Sequence, residues 1–280
     1  MSFLGLGLLP DLGLAGAGEP LRFGLTPIFL QERHALISEL RAYLERKLQR
    51  PVSFQVRDSS HGILELMQRQ QLDVAWLCDC PYVTTHPEFR LLATPWFQGR
   101  PYYQAYLIVH GQDIKTRGMA DLKGKVFAYT DAYSNVGYLT PRYLVRQLGE
   151  EPNGFHRRTF FTRSPRKSIE AVAEGVADAA AVNSYIWETL QLQSPALTGM
   201  TRVAGRLAEF GFPPLVAHQT LSEKDFQSLR QVLLGMARDP AGQILLRQMN
   251  LDGFGDPSPA YYRNAEEMVR RMQDGRDAGL

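Results

Sequence analysis

Two stretches of the chain carry side chains that could do chemistry. The first is Tyr129-Thr130-Asp131-Ala132-Tyr133-Ser134-Asn135-Val136-Gly137-Tyr138. An apolar strand ends there, small polar residues turn the chain, and a helical pattern begins. The first N–H groups of a helix lack backbone partners and carry partial positive charge. A turn that presents them beside Ser134 and Asn135 suits an anion; the same residues also serve as ordinary helix caps. The second stretch is Trp76-Leu77-Cys78-Asp79-Cys80-Pro81-Tyr82. It lies just past a strand's carboxyl end, where open α/β sheets place ligands. Cys78 and Cys80 are the only cysteines, and several readings of them compete. They are inert buried thiols, or a thiolate contact to a soft ligand, or part of a Cys–His nucleophile with His61 or His86 as base. A copper or zinc site would need further soft ligands, and no His stands at metal-ligand spacing from the pair. A disulfide across one residue of extended chain is strained, because the two Cα atoms sit near the ~7 Å limit. The remaining His, Asp and Glu residues form no recognisable triad, and dinucleotide-binding and P-loop glycine patterns are absent. The aromatic pairs Tyr102-Tyr103 and Tyr185 with Trp187 suit core packing or the rim of a ligand site.

The elements that would hold these residues alternate. Leu21 to Gly24 reads as a buried strand, and Gln31 to Gln49 as a helix with a stripe of Leu36, Ile37, Leu40, Tyr43, Leu44 and Leu48. Val52 to Val56 alternates as a strand. Ser59-Ser60 caps a helix carrying Ile63, Leu64 and Met67. Leu72 to Leu77 is a near-continuous apolar run, interrupted by Asp73, as in a sheet covered on both faces. After the strand Tyr102 to Val109 the rhythm starts again: Met119 to Leu122 helix-like, Lys125 to Tyr129 strand, Gly137 to Leu148 helix, Arg158 to Phe161 strand, Lys167 to Glu174 helix, Asp178 to Val182 strand. Val216 to His218 reads as a return strand. Helices then cover Glu223 to Arg238, Pro240 to Met249 and Pro259 to Met272. The doubled rhythm predicts an α/β protein of mostly parallel layers, with one lobe over 20–109 plus 207–280 and a second over 110–206.

Composition is that of a globular protein: 280 residues, 44% hydrophobic, 21% charged, formal net charge +2. A near-neutral chain without clustered Lys and Arg argues against nucleic acid as partner. Residues 1–19 differ from the rest. Phe3 to Leu14 is rich in Leu and Gly, and Ala15-Gly16-Ala17 follows in the A-x-A pattern of a signal-peptidase site. The basic region that normally precedes such a segment is missing. We read 1–19 as the remnant of an export signal; it is too short and Gly-rich to span a bilayer.

Several motifs, in order and spacing, resemble the periplasmic phosphonate/phosphate-type solute-binding protein family. They are Leu72-Asp73-Val74-Ala75-Trp76-Leu77 followed by Pro81-Tyr82; Tyr103-Gln104-Ala105-Tyr106-Leu107-Ile108-Val109; Ala120-Asp121-Leu122-Lys123-Gly124-Lys125; Ser134 to Pro141; Ala171 to Asp178; and the Phe212-Pro213-Pro214 turn. The resemblance spans about Leu21 to Met272. It implies a two-lobed, hinged type 2 periplasmic-binding-protein fold, with two mixed sheets flanked by helices and the ligand in a central cleft. It also implies a monomer in the periplasm that captures a small oxyanion for an ABC permease, with no cofactor, no resident metal and no catalysis. Ser134 and Asn135 match the turn that holds the anion. Tyr103 and Tyr82 match cleft tyrosines, and Asn183 and Tyr185 match second-lobe cleft positions. The chain departs from the family where Ala105 replaces a frequent Ser. Pro165 stands where a His is frequent, with Arg166 and Lys167 beside it as neutralising cations, and Asn183 or Tyr185 replaces an acidic residue. Cys78 is a further departure, and it is similar to a branch of arsenite-responsive sensors that signal to a membrane kinase. Because Pro81 bends the path directly after Cys80, Cys78 is expected to face the cleft and Cys80 to matter less.

Overall fold

The structure, a computed structural model, describes residues 19–26, 34–57, 59–85 and 88–277. All but the last residue of the expected leader, and His86, lie outside the described residues.

Strand β1 (Leu21–Leu25) pairs in parallel with β2 (Val52–Val56) on one side and β3 (Val74–Trp76) on the other. Helix α1 (His34–Leu48) connects β1 to β2 and buries Leu36, Leu40, Tyr43 and Leu44, the stripe expected from the spacing. Helix α2 (Ser60–Gln68) connects β2 to β3; Ser59 is its cap, with Oγ accepting from Gly62 N at 3.1 Å. Asp73, the charge that interrupts the apolar run, lies just before β3. It accepts from Arg22 N at 2.8 Å and from the Arg22 guanidinium at 3.1 and 2.6 Å, so it joins strand ends instead of entering the core. Helix α3 (Asp79–Thr85) then starts directly behind Cys78. The Cys-x-Cys segment is therefore not extended chain: Cys80 and Pro81 occupy the first turn of a helix, where a proline needs no N–H partner.

Three strands were not expected, two in the first sheet and one, Thr201–Gly211, at the edge of the second. β4 (Phe89–Trp96) and β11 (Gly253–Gly255) complete the first sheet, whose order is β11-β4-β10-β3-β1-β2 with β10 at Leu215–His218. The second sheet has the order β7-β6-β8-β5-β9: β5 (Tyr102–His110), β6 (Val126–Tyr129), β7 (Arg158–Phe161), β8 (Ala179–Asn183) and β9 (Thr201–Gly211). In it β6 runs parallel to β7 and β8, while β5 is antiparallel to β8 and β9. Both sheets are thus mixed, which corrects the expectation from rhythm alone of mostly parallel layers. The helix expected from Gly137 begins earlier, as a π-helical turn over Asn135–Leu139 that leads into α4 (Thr140–Gln147). Helix α5 (Pro165–Ala173) follows β7, α6 (Ser184–Gln193) follows β8, and α7 (Glu223–Gly235), α8 (Pro240–Met249) and α9 (Arg263–Asp277) make the helical tail.

The chain passes between the sheets twice, at residues 97–101 between β4 and β5 and at 212–214 between β9 and β10. The two crossings are bonded to each other by Phe212 N to Pro101 O at 2.9 Å. Trp76 and Tyr262 fix the second crossing from either side: Trp76 Nε1 donates to Pro213 O at 2.9 Å, and Tyr262 OH donates to Phe212 O at 3.1 Å while lying 3.0 Å from Thr94 Oγ1. No helix among the described residues is long and apolar enough to cross a membrane. Tyr262→Phe removes two buried hydrogen bonds, each worth about 1 kcal/mol net. It should lower unfolding stability by about 1–3 kcal/mol in urea melts, with the m-value unchanged.

Candidate ligand-binding site

A cavity of about 30 Å³ lies between the two sheets. A single water needs roughly 10–15 Å³, so the space suits a ligand of a few heavy atoms. Ser60 and Cys78 line it from the first sheet's side and Pro213 from the second crossing. Tyr103, Thr130, Asp131, Ser134, Val136, Gly137, Arg163, Pro165, Ala181, Val182 and Asn183 line it from the second sheet's side. The topology explains this set. Strands β6, β7 and β8 are mutually parallel across β6, so Thr130, Arg163 and Asn183 emerge at or just past carboxyl ends that all point one way, and Cys78 does the same two residues past the end of β3.

The turn at 130–137 is fixed by short local bonds. Ser134 Oγ accepts from Gly137 N at 2.9 Å, Asp131 Oδ1 accepts from Tyr133 N at 2.6 Å, and Thr130 N donates to Gly137 O at 3.0 Å. Gly137 has no substitute here, since a Cβ would stand 2.3 Å from Thr130 Oγ1. Behind the turn, Thr130 Oγ1 meets Ser168 Oγ at 3.2 Å, and Ser168 Oγ meets Thr162 Oγ1 at 2.7 Å, which ties the turn to α5. Three helical N-termini therefore face one space: α2 at Ser60, the helical stretch that begins at Asn135, and α5 at Pro165. Their partial positive charges add in the same place.

Beside the cavity, Asp79 is fully buried. Its Oδ1 accepts from Cys78 Sγ at 3.1 Å and Cys80 N at 2.9 Å; its Oδ2 accepts from Tyr103 OH at 2.9 Å and Asn135 Nδ2 at 2.6 Å. Burial raises the Asp79 pKa, and these four donors pull the other way. The Cys78 thiol is pushed well above its ordinary value, first by burial and then by the Asp79 charge, against a hydrogen bond from the Asn135 backbone N–H. Cys80 is pushed up to about 12 by burial, Asp79 and Asp131. Tyr103 rises for the same two leading reasons as Cys78, burial and the Asp79 charge. Both shifts disfavour the thiolate, the form that acts as nucleophile and soft-metal ligand. The partner of the Cys78 thiol is a carboxylate and not a histidine. His61 stacks on Tyr133 at 4.5 Å and faces Glu65 at 3.4 Å. No group of three His, Cys, Asp or Glu with metal-binding geometry occurs among the described residues.

Of the residues read from the sequence, Cys78, Tyr103, Ser134 and Asn183 come together on the cavity. Asn183 also caps α6, accepting from Tyr185 N at 2.9 Å. Asn135 lies one layer behind, fully buried, with Nδ2 on Asp79 and Oδ1 accepting from Thr140 Oγ1 at 3.2 Å. Tyr82 packs edge-on against Tyr262 at 4.9 Å, away from the cavity wall. Tyr185 is held between Phe97 and Phe212, with its OH donating to Met249 O. Arg166 pairs with Glu170 at 2.9 Å along α5; the arginine that lines the cavity is Arg163. Arg163 sits at φ 64°, and no periodicity or motif marks such a position in a sequence. Asp79 was visible as a charge between two cysteines, yet its role depends on partners 24 and 56 residues away. With their pKa values raised, Cys78 and Cys80 should alkylate with iodoacetamide at neutral pH far more slowly than a free thiol, and reach the free rate on denaturation. A fast-reacting native thiol would contradict the protonated assignment.

Comparison with known proteins gives a consistent result. The family model for the periplasmic substrate-binding protein of phosphonate ABC transporters matches residues 23–262. The probable ABC transporter phosphite binding protein PhnD1 of Prochlorococcus marinus (strain MIT 9301) is 26% identical over 162 residues, 56% of this chain. The matching region spans 54% of that protein, about half its length. Among solved structures, a binding protein component of an ABC phosphonate transporter from Pseudomonas aeruginosa superposes with a TM-score of 0.82 at 21% identity, covering 91% of this chain and 87% of the other. Prochlorococcus PhnD1 in complex with methylphosphonate gives 0.79 at 20%, covering 90% and 98%. At these identities the likeness is one of fold: two mixed sheets flanked by helices, as in type 2 periplasmic binding proteins. Neither the family description nor these relatives names an arsenite sensor or an enzyme. The residues matched take in both sheets and every side chain on the cavity wall, and the chain belongs to the periplasmic substrate-binding protein family of phosphonate ABC transporters.

Proposed function

We propose that the chain captures a small oxyanion of the phosphonate, phosphite or phosphate class between its two sheets and delivers it to a membrane permease. The observation that carries this reading is the convergence of three helical N-termini and Arg163 on one small cavity. Ser134, Asn183 and the Val136 amide would hold ligand oxygens, with Tyr103 and the neutral Cys78 thiol closing the wall. The lobes would be the two sheets with their helices, 20–101 plus 212–280 and 102–211, hinged where the chain crosses at 97–101 and 212–214; the bounds expected from the sequence, 20–109 plus 207–280 and 110–206, would assign β5 and the end of β9 to the wrong sheet. Helix α9 would be shared between them, because Thr140 Oγ1 reaches Met268 Sδ at 3.6 Å and Asn264 Nδ2 donates to Glu209 O at 3.0 Å. Export by a leader and action as a monomer complete the proposal.

A thermal-shift panel of methylphosphonate, phosphite, phosphate, arsenate and arsenite tests it. A true ligand at 100 times its Kd stabilises by about 2.7 kcal/mol; no stabilisation by any oxyanion would reject the reading. Ser134→Ala should cost roughly 1.5–3 kcal/mol of binding, the worth of a hydrogen bond to a charged ligand, and about 1 kcal/mol of stability from the lost cap. Cys78→Ser should change affinity for a phosphonate-class ligand by less than about 1 kcal/mol, since a protonated thiol offers one weak neutral contact. Abolished binding in calorimetry would instead assign the ligand to sulfur.

A further inference from the structure

The charged residues on the cavity wall are Asp131 and Arg163. Their arrangement narrows the ligand class beyond the reading above, on which it rests. Arg163 is held in the left-handed region at φ 64°, a conformation that costs a non-glycine residue and persists only when its surroundings impose it. Here the bond from Arg163 N to Thr130 O at 2.7 Å imposes it. The residue lines the cavity, and its guanidinium makes no ion pair among the described residues. Asp131 comes off the end of β6. Its carboxylate receives the N–H groups of Tyr133 and Ser134 from its own turn and the N–H of Ser60 from the opposite sheet's α2. A carboxylate offers about four lone-pair sites, so acceptor capacity remains on an oxygen pair beside the cavity. The groups that face Asp131 from the neighbouring elements are His61 on α2 and Cys80 on α3, and the Asp79 carboxylate lies next to Cys80.

We infer that Asp131 makes this a site for oxyanions that still carry a proton: the ligand's hydroxyl donates to Asp131 while Arg163 balances its single negative charge. A dianion would bring its second charge against Asp131, with the Asp79 carboxylate close behind. A monoanion with one O–H turns the same carboxylate into a partner. The class selected is monobasic phosphonate, phosphite or phosphate. The class refused is sulfate and sulfonates, which have no proton to give near neutral pH.

Methylphosphonate monoanion and methanesulfonate share shape and charge and differ by that one proton. Calorimetric titration of both, in mildly acidic buffer, should show the wild-type protein preferring methylphosphonate by roughly tenfold or more, the equivalent of one charge-assisted hydrogen bond. Asp131→Asn keeps an oxygen for the Tyr133 N–H and gains a donor toward the ligand; its preference should fall to within about threefold. If circular dichroism shows that variant unfolded, Asp131→Ser, whose hydroxyl still caps the turn, replaces it. Arg163→Gln should weaken both probes by the same factor and leave the preference intact. Equal affinity of the wild-type protein for the two probes, or a preference that survives loss of the Asp131 carboxylate, overturns the inference while leaving oxyanion capture standing. Failure of the wild-type protein to bind methylphosphonate, phosphite or phosphate at all overturns both.

Discussion

A carboxylate with no exposed surface must be supplied with donors, because burying it bare costs several kcal/mol. Asp79 is supplied with four, and they come from both sides of the molecule: Cys78 and Cys80 beside it on the first sheet's side, Tyr103 on β5 and Asn135 in the turn after β6. Much of the site's geometry follows from meeting that demand. The Tyr103 hydroxyl is aimed by it, and Asn135 is pulled inward by it, which seats the start of the 135–147 helical stretch. Ser134 is thereby left on the surface of the cavity with the turn's amides beside it. A charge that looks at first like a ligand group serves instead as the anchor around which the ligand groups are arranged.

The same carboxylate makes the two neighbouring cysteines less acidic. A thiol next to a buried negative charge loses acidity twice over, once from desolvation and once from repulsion of the thiolate. The helical N-termini nearby, which would ordinarily make a thiol more acidic, are outweighed. The cavity wall therefore carries its charged residues, Arg163 and Asp131, on the side of Ser134 and Pro165, and is neutral on the side of Cys78 and Tyr103. That asymmetry suits an oxyanion with a non-ionic end.

Sequence reading recovered the elements whose side chains keep a strict period. β1, β2, β5 and β8, and helices α1, α2 and α8, were legible because their apolar faces are continuous. β9 was not: its eleven residues are mostly half-exposed and carry Arg202, Arg206 and Glu209, as befits an edge strand paired on one side only. β11 is three residues with two glycines and has no pattern to read. In the site, Ser134 was legible from local capping chemistry, and Cys78, Tyr103 and Asn183 from their places at strand ends and from family likeness. Asp79 and Arg163 were not singled out. The first is defined by long-range donors, the second by a backbone angle, and neither is written in spacing. Arg166 was chosen in place of Arg163, which stands three residues earlier, just before the helix that holds Arg166; only Arg163 lines the cavity.

One detail of the sheet order bears on how the chain reaches this state. Strand β10 lies between β3 and β4, so two strands adjacent along the chain are separated by one that follows more than a hundred residues later. Emerging from a ribosome, the first ninety-six residues hold both edges of a gap that only residues 215–218 can fill, whereas residues 102–211 contain every strand of the second sheet. The second sheet can thus close on itself first, and the first must wait with unpaired strand edges exposed, the condition in which neighbouring chains pair wrongly.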